Sequence, residues 1–323
     1  MSLLSDVNRE IKAGVIGAGA FGRLHAQKYA SLPGVKLIGI ADADISRAQT
    51  LANDFMVTAY PGWRSILPHV EVVTIAAPAR FHGEIGVGAL NAGKHVFVEK
   101  PLAANVREAD ALVRLAEQRG LVLHTGHQER FVMRHLGLFD GDVKPLKVEC
   151  HRASPFSPRN TDVSVVLDLM IHDIDLVHQL NPAPIVEMRA SERFVSARSD
   201  EVSATIKLAD GMDVELFASR MAEARKRFMR VVYPDGEIYI DFLTREITNS
   251  TPRKLKALGS ASVGSSLPCP SIDPLGHGVA QFVRSVRQGL PASIAPREAR
   301  RALETALSIL DAARLPQKRL AHA

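Results

Sequence analysis

The chain has 323 residues, of which 46% are hydrophobic and 23% charged, so it has the length of two domains and the composition of a soluble globular protein. Its net charge of +5 comes from interspersed residues, and its aromatic residues do not alternate with basic ones, which argues against a nucleic-acid partner. Because there is no signal-peptide pattern and no apolar run near the roughly 18–20 residues of a membrane span, we expect a cytoplasmic protein that binds no membrane.

The first predicted strand, residues 11–16, leads into a glycine-rich turn. Gly17, Gly19 and Gly22 follow it in GxGxxG spacing, and a helix is predicted from there to about residue 30. In a dinucleotide-binding unit the first glycine permits a tight turn. The second lets a pyrophosphate approach the backbone, and the third lets the helix pack closely on the strand. The alternative is that the three glycines form only a structural turn.

The second predicted strand ends at Asp42, and 42 − 22 = 20 residues separate it from the last motif glycine. A carboxylate in this place accepts hydrogen bonds from the adenosine ribose. Because a carboxylate repels a 2′-phosphate, Asp42 favours NAD, and NADP is the less expected cofactor. Arg47 is close enough in sequence to weaken this preference.

Helices and strands continue to alternate through the first half of the chain. The predicted helices are 46–55, 82–92 and 105–119, and the predicted strands are 70–78, 94–100 and 121–127. This alternation predicts a doubly wound parallel α/β sheet of the Rossmann type. Ligands of such sheets bind at the carboxyl ends of the strands, where Pro78, Lys100 and His127 fall.

From about residue 145 the pattern changes to successive strands with Asp-Gly turns between some of them. Strands that follow one another without helices predict an α+β domain with a mostly antiparallel, open sheet. Closing helices are predicted at 273–289 and 296–313. We therefore predict a dinucleotide-binding domain at 1–124 and a second domain at 125–323, whose last helix packs back on the first domain.

An apolar segment of helix length, VVLDLMIHDIDLV at 165–177, carries Asp168 and His172 four residues apart. On an α-helix they lie one turn apart on one face, with Asp175 near the same side. Removing a hydride from a carbinol carbon requires a base for the hydroxyl proton, and a histidine suits that role. The alternative is a structural histidine paired with a carboxylate. We expect Asp173 to be a surface or interface charge and Asp175 to support the site.

Four sequence blocks resemble the Gfo/Idh/MocA family of NAD(P)-dependent oxidoreductases, which act mostly on sugars, inositols and nucleotide sugars. They are GVIGAGAFG, AAPARFH, GKHVFVEKP and the Asp168–His172 pair. The resemblance implies a homo-oligomer, a dimer or a larger assembly, formed through the outer face of the second-domain sheet.

The family resemblance also implies roles for individual residues. Lys100 lies beside the nicotinamide and the substrate carbon, His172 is the acid/base, and Asp168 holds a neighbouring hydroxyl or orients the imidazole. The predicted cofactor-binding residues are Gly17, Gly19, Ala20, Phe21, Gly22, Asp42, Ala77, Pro78, His82, Glu99 and Lys100. For His82, a backbone or helix-cap role is an equal alternative.

One departure narrows the resemblance, since Met170 stands where many family members have glycine. The blocks VVLDLMIHDID, GHQERF and RASPFSPRNTDV are similar to the branch that oxidises the 3-hydroxyl of UDP-N-acetylglucosamine. The predicted substrate-binding residues are His127, Glu129, Arg130, Arg152, Arg159, Asp162 and Asp168. For each arginine, a surface ion pair is the alternative to a phosphate contact.

Two further functions compete with a nucleotide-sugar dehydrogenase. One keeps the fold and acts on a free sugar, an inositol, or a biliverdin-like or imine substrate. The other is a non-catalytic, NAD-binding sensor, against which the presence of both Lys100 and His172 argues. Neither Cys150 nor Cys269 has the spacing of a metal site or a CxxC motif, and we predict no bound metal.

Overall fold

The computed structural model describes residues 9–141, 143–156, 163–194, 199–253, 255, 266–268 and 273–320. The chain divides into two compact units. The first comprises Met1–Gln128 and Asp273–Leu303, and the second comprises Glu129–Ile272 and Glu304–Ala323. The boundary near residue 128 lies close to the predicted one, but residues 273–303 belong with the first unit, whereas the prediction placed them in the second domain.

The first unit contains a parallel sheet whose described strands have the order β3-β2-β1-β4-β5-β6. The strands are β1 (Ile11–Ile16), β2 (Val35–Asp42), β3 (Thr58–Pro61), β4 (Val72–Ile75), β5 (His95–Val98) and β6 (Leu123–Thr125). The helices that follow them are α1 (Ala20–Ser31), α2 (Ile45–Phe55), α3 (Trp63–Ile66), α4 (His82–Asn91) and α5 (Val106–Arg119). The parallel, doubly wound sheet is confirmed, while β3 and α3 were not predicted.

The strand order of this sheet reverses beside β1, which pairs with β2 on one side and with β4 on the other. At such a switch point the connections leave in opposite directions, and a crevice opens at the carboxyl ends of the two central strands. The observed β4, β5 and β6 are shorter than predicted. The residues that follow them at this edge, among them Pro78, Lys100 and His127, therefore lie in loops.

A closing helix, α8 (Pro274–Gln288), belongs to the core of the first unit. Its buried residues Val279 and Phe282 pack in one hydrophobic cluster with Tyr29 of α1 and Phe97 of β5. This burial is the reason that residues 273–303 group with the dinucleotide-binding unit.

The second unit contains an open sheet whose described strands have the order β14-β13-β12-β11-β7-β10-β9-β8. The strands are β7 (Lys147–Ala153), β8 (Ile185–Phe194), β9 (Ser199–Leu208), β10 (Asp213–Ser219), β11 (Lys226–Tyr233), β12 (Gly236–Asp241), β13 (Glu246–Asn249) and β14 (Ser266–Pro268). Neighbouring strands are antiparallel except β7 and β10, which are parallel. The mostly antiparallel sheet is therefore confirmed.

Alternating burial along β9 shows that one sheet face is covered. Val202, Ala204 and Ile206 are buried, and the residues between them are exposed. Three helices complete the described part of this unit: α6 (Glu129–Leu136), α7 (Ile171–Leu180) and α9 (Pro296–Leu320), which begins in the first unit. A π-helical turn, Val166–Met170, runs directly into α7. No helix in the described part of the chain has the length and apolar character needed to cross a membrane.

Candidate functional site

The glycine-rich loop after β1 has the geometry of a phosphate cradle. Gly17 has φ +107°, and a Cβ there would lie 2.5 Å from the carbonyl oxygen of Ala76. A Cβ on Gly22 would lie 1.8 Å from the carbonyl oxygen of Gly17, so only glycine allows α1 to pack this closely. A Cβ on Gly19 would meet nothing nearer than the guanidinium of Arg47, at 3.7 Å. The backbone of Gly19, which is the N-cap of α1, therefore faces open space.

Asp42 ends β2 beside this cradle. Its carboxylate accepts hydrogen bonds from the backbone N–H of Ala18 at 2.7 Å and of Asp44 at 3.0 Å. These bonds fix the carboxylate next to the glycine loop, where an adenosine ribose would be bound in a dinucleotide unit. The exposed Ala20 and Phe21 begin α1 at the same loop.

His82 ties together two loops at the carboxyl edge of the sheet. One ring nitrogen lies 2.8 Å from the carbonyl oxygen of Ala77, which follows β4, and the other lies 2.7 Å from that of Pro101, which follows β5. Burial lowers the pKa of this imidazole, and its two carbonyl partners act in the opposite direction. The backbone role that the sequence left open is thus present, while a cofactor contact by His82 stays a prediction.

Glu99 is a buried carboxylate in a dense set of donors. Its Oε1 lies 2.7 Å from Nε2 of His25 and accepts from the side-chain amide of Gln128 at 3.1 Å. Its Oε2 accepts from the backbone N–H of Lys100 at 3.3 Å. Burial acts to raise the pKa of Glu99, but the hydrogen bond and charge of His25, together with the charge of Lys100, lower it overall.

The sequence interpretation missed His25 and Gln128. His25 is fully buried, and it lies on α1 three residues after the last motif glycine. A usable signal existed, because a polar ring on the apolar face of a helix needs a buried partner. His127, which was predicted to contact substrate, is also buried and follows β6.

Asp168 and His172 lie on either side of the junction between the π-helical turn and α7, and both are half-buried. The backbone N–H of Asp168 donates to the carbonyl of Ser164 at 3.0 Å. The sequence predicted a continuous α-helix here, and the π-helical turn corrects that prediction at Asp168. Turns of this kind are rare in proteins, and those that occur are often found at functional sites.

The predicted substrate residues Glu129, Arg130 and Arg152 belong to buried ion pairs of the second unit. Arg130 binds Asp175 through Nε at 2.6 Å and through a second, Nη2 contact. Arg152 donates from Nε to Asp173 at 2.7 Å and from both terminal nitrogens to Glu129. These contacts fasten α6 and β7 to α7.

The ion pairs correct one expectation, because Asp173 is 1% exposed and is not a surface charge. Asp175 is equally buried, and its carboxylate pairs with Arg130. A supporting role of Asp175 at the site stays a prediction. Arg159 and Asp162, the remaining predicted substrate residues, lie outside the described residues. Within the described ranges, no group of three or more His, Cys, Asp or Glu side chains could hold a metal ion.

The first unit has the features that a bound dinucleotide requires. The backbone leaves no room for a side chain at Gly17 or Gly22, and there is open space at Gly19. The carboxylate of Asp42 is held by hydrogen bonds at the end of β2. Backbone N–H groups and a helix N-terminus suit the pyrophosphate, and Asp42 suits a ribose.

Family models match both halves of the chain. The model described as "Oxidoreductase family, NAD-binding Rossmann fold" covers residues 11–127, and the "GFO/IDH/MocA C-terminal domain" covers residues 141–239. A relative, the UDP-N-acetylglucosamine 3-dehydrogenase of Acidithiobacillus ferrooxidans, is 36% identical over 243 residues, or 73% of this chain and 76% of the relative. An inositol 2-dehydrogenase of Acidothermus cellulolyticus is 32% identical over 57% of each chain.

Solved structures have the same architecture. The structure of UDP-N-acetylglucosamine 3-dehydrogenase GnnA from Acidithiobacillus ferrooxidans has a TM-score of 0.86 and 32% identity, with 94% of this chain and 97% of that chain covered. GenD2 from gentamicin A biosynthesis, in complex with NAD, has a TM-score of 0.80 and 24% identity, with 94% of each chain covered. The second likeness concerns the fold alone.

Proposed function

Because this chain belongs to the Gfo/Idh/MocA family of oxidoreductases, we propose that it uses NAD to oxidise the 3-hydroxyl of UDP-N-acetylglucosamine to a ketone. The observation that carries the proposal is the 36% identity to an enzyme named for that reaction, over 73% of this chain. The cradle of Gly17, Gly19 and Gly22 supports the cofactor, and the π-helical turn at Asp168 supports a specialised role for the helix that carries His172.

The proposed reaction removes a hydride from the carbinol carbon and a proton from its hydroxyl. Bound NAD supplies the hydride acceptor. We assign the hydroxyl proton to His172, because an imidazole is the side chain best suited to accept a proton near neutral pH. We assign to Lys100 the stabilisation of the negative charge that develops on the substrate oxygen. Asp168 is proposed to hold a neighbouring hydroxyl or to orient the imidazole.

The ion pairs refine the proposal for the substrate residues. Arg130 and Arg152 are each 1% exposed and are bonded to carboxylates of their own unit, so they are better suited to positioning α7 than to binding a diphosphate. His127 and Asp168 stay proposed substrate contacts. Arg159 and Asp162 stay proposed contacts of the sugar or the diphosphate.

The test is to incubate the purified protein with NAD and UDP-N-acetylglucosamine, with hydroxylamine present to trap a ketone. We expect NADH absorbance to rise and the mass of an oxime of the oxidised nucleotide sugar to appear. No NADH, in a sample shown by calorimetry to bind NAD, would reject the substrate while leaving the cofactor assignment intact.

The second candidate substrate class is an inositol or a free sugar, favoured by the identity to the inositol 2-dehydrogenase. A panel of myo-inositol, glucose and UDP-N-acetylglucosamine at equal concentration separates the two, since kcat/KM identifies the substrate for which the site is built. NAD binding without turnover on the whole panel would support the third candidate, a non-catalytic sensor.

We propose that the protein is a cytoplasmic homo-oligomer, assembled through the second-unit sheet. An aromatic row supports this interface. The His151 ring on β7 stacks on the rings of Phe217 on β10 and Phe228 on β11, the neighbouring strands. The distances between ring centroids are 4.5 Å and 5.5 Å. Cys150, next to His151, is buried on the opposite face of the sheet. Light scattering should give a multiple of the 35.1 kDa chain mass, and a 35.1 kDa particle would reject the proposal.

A further inference from the structure

A hydrogen-bonded series of polar side chains lies buried next to Glu99. His25 and Tyr29 are four residues apart on α1 and face the sheet, where Thr74 of β4 lies between them. All three are 0% exposed. The Tyr29 hydroxyl lies 2.9 Å from Oγ1 of Thr74, which lies 3.3 Å from Nδ1 of His25, and Nε2 of His25 lies 2.7 Å from Oε1 of Glu99.

The geometry fixes the direction of the hydrogen bond to Glu99. Nε2 of His25 carries a proton, because an unprotonated nitrogen would place its lone pair against the carboxylate. Nδ1 of the same ring bonds to the Thr74 hydroxyl, and that hydroxyl bonds to the Tyr29 hydroxyl; either partner can donate in these two bonds. Burial raises the pKa of the Tyr29 phenol, so Tyr29 keeps its proton.

The Glu99 carboxylate is in turn hydrogen-bonded to two loops at the carboxyl edge of the sheet. One carboxylate oxygen accepts from the backbone N–H of Lys100, and the other accepts from Gln128, which follows β6. A Cβ on Gly126 would lie 2.6 Å from Oε2, so the backbone of the β6 loop also packs against the carboxylate. The position of the Lys100 backbone thus depends on how Glu99 is held.

We propose that His25 is a positioning residue for Lys100, and that it acts by holding the Glu99 carboxylate, ionised and oriented, against the Lys100 backbone. This inference rests on the proposed function, in which Lys100 touches the substrate. The positioning effect depends on the N–H donor at Nε2 of His25. A different side chain that places a donor there should therefore still hold Glu99 and position Lys100. Thr74 and Tyr29 contribute through the orientation of the ring.

In the part of the chain that the structure describes, three ionisable side chains interact with the charge of Glu99: His25 on α1, Lys100 in the same loop, and His82 on α4. Burial lowers the pKa of His82 overall, and the charge of Glu99 acts in the opposite direction. A buried carboxylate that loses its best donor becomes easier to protonate. Removal of the Nε2 donor should therefore raise the pKa of Glu99.

Two substitutions at one position isolate this hydrogen bond. His25→Gln places an amide N–H where Nε2 lies and retains a donor to Glu99, whereas His25→Asn is too short to reach the carboxylate. Both variants are polar and lose the edge contact that the imidazole makes with Phe97 at 4.9 Å. A merely structural role would affect them alike, and melting temperatures measure that part.

The kinetic readout is the pH profile of kcat on UDP-N-acetylglucosamine. We expect kcat of His25→Asn to fall about tenfold below that of His25→Gln at low pH, the factor expected for one hydrogen bond to a charged group. Its acid limb should also move to higher pH. Equal kcat values and equal acid limbs for the two variants would overturn the inference.

The second readout needs no turnover. In protein labelled with ¹³C at the glutamate carboxyls, Glu99 is assigned as the resonance lost in Glu99→Gln, and it is titrated with and without NAD. We expect it to titrate at higher pH in His25→Asn than in the wild type or His25→Gln, and identical titrations would overturn the inference. A wild type that binds NAD but oxidises no nucleotide sugar rejects the proposed function, and the titration still decides the role of His25.

Thr74→Val keeps the test usable if the His25 variants do not fold. It removes the hydroxyl that bonds to Nδ1 at nearly constant side-chain shape and leaves the imidazole in place. The titration of Glu99 should shift in the same direction as in His25→Asn, but less. No shift in this variant, in protein with a wild-type melting temperature, would contradict a contribution of Thr74 to holding Glu99.

Discussion

Two buried carboxylates, one in each unit, have pKa values shifted in opposite directions. Glu99 lies beside Lys100, and its pKa is lowered. Asp173 lies beside His172 in the sequence, and its pKa is raised to about 6, although Nε of Arg152 donates to it at 2.7 Å. An ion pair does not by itself keep a buried carboxylate acidic.

The opposite pKa shifts of the two carboxylates arise from how each shares its hydrogen-bond donors and cations with other carboxylates. Burial is the largest influence on Asp173, and the opposing charge of Arg152 is shared with Glu129, whose own charge raises the pKa further. At Glu99, burial is opposed by His25 and by Lys100, and no second carboxylate is among the causes of the shift. A buried carboxylate is thus kept ionised by donors of its own rather than by the mere presence of a cation.

The largest expected effect concerns the helix that carries Asp173. His172→Asn should lower kcat by about 10²–10⁴-fold, the range for removal of a general base, with little change in NAD affinity. Steady-state kinetics and calorimetry measure the two quantities. The matched control is His178→Asn on the same helix, whose imidazole lies 2.9 Å from Oγ1 of Thr305. Equal losses in the two variants would remove His172 from the proposed chemistry.

Arg152→Met tests the shared cation. It leaves the buried Asp173 and the half-buried Glu129 without their main partner, and the free energy of unfolding should fall by about 3–5 kcal/mol in urea denaturation. Arg227→Met is the control, because the Arg227 side chain is 39% exposed and 3.8 Å from Glu129. Its expected loss is below about 1 kcal/mol. A similar loss in both variants would show that the buried cluster is not specially dependent on Arg152.

Asp173→Asn tests the sign of the raised pKa. A folded-state pKa of about 6, against an ordinary value of 3.8, means that the folded protein binds this proton more tightly than the unfolded chain. The wild type should therefore lose stability relative to Asp173→Asn as the pH rises from about 4 to about 6, by up to about 3 kcal/mol, with no further change above. Denaturation at several pH values measures this difference.

Glu99→Gln provides the opposite case. Because the pKa of Glu99 is lowered, its contribution to stability is complete above the ordinary value of 4.5 and is lost only as the pH falls through the lower folded-state value. The difference between wild type and Glu99→Gln should therefore stay constant between pH 5 and 7. A parallel pH dependence for the Glu99 and Asp173 variants would refute the contrast.

The smallest expected effect concerns Asp42, a carboxylate at the edge of the first unit that is only half-buried. Asp42→Asn keeps an acceptor for the ribose but removes the charge that repels a 2′-phosphate. The ratio of NADP to NAD affinity should rise about tenfold, the size of one modest electrostatic contact. Calorimetry with both cofactors measures the ratio, and an unchanged ratio would assign the preference to other residues.

Local sequence patterns predicted most of the fold. The order of β1, the glycine cradle, α1 and β2 was predictable because each part is a short run with its own steric requirement. The β7–β12 region was predictable from period-two burial and Asp-Gly turns. The strand β3 and the helices α3 and α6 were missed, since each is short.

The candidate site was predictable in its residue types but not in its partners. Glu99, Lys100 and His172 stand in recognisable sequence contexts. The pair of His25 with Glu99 spans 74 positions, and the pair of Arg130 with Asp175 spans 45. No local pattern specifies such pairs, so two arginines predicted to bind substrate proved to be bonded to Glu129, Asp173 and Asp175. The π-helical turn at Asp168 has no residue signature either.

The central claim is that the chain transfers a hydride from carbon 3 of a UDP-N-acetyl-hexosamine to NAD. Its most direct test uses UDP-N-acetylglucosamine that carries deuterium at carbon 3 of the sugar, with NADH isolated and analysed by mass spectrometry. The account predicts NADH that carries the deuterium and a nucleotide sugar that has become a ketone. NADH without deuterium, or no NADH from a protein saturated with NAD, would contradict it.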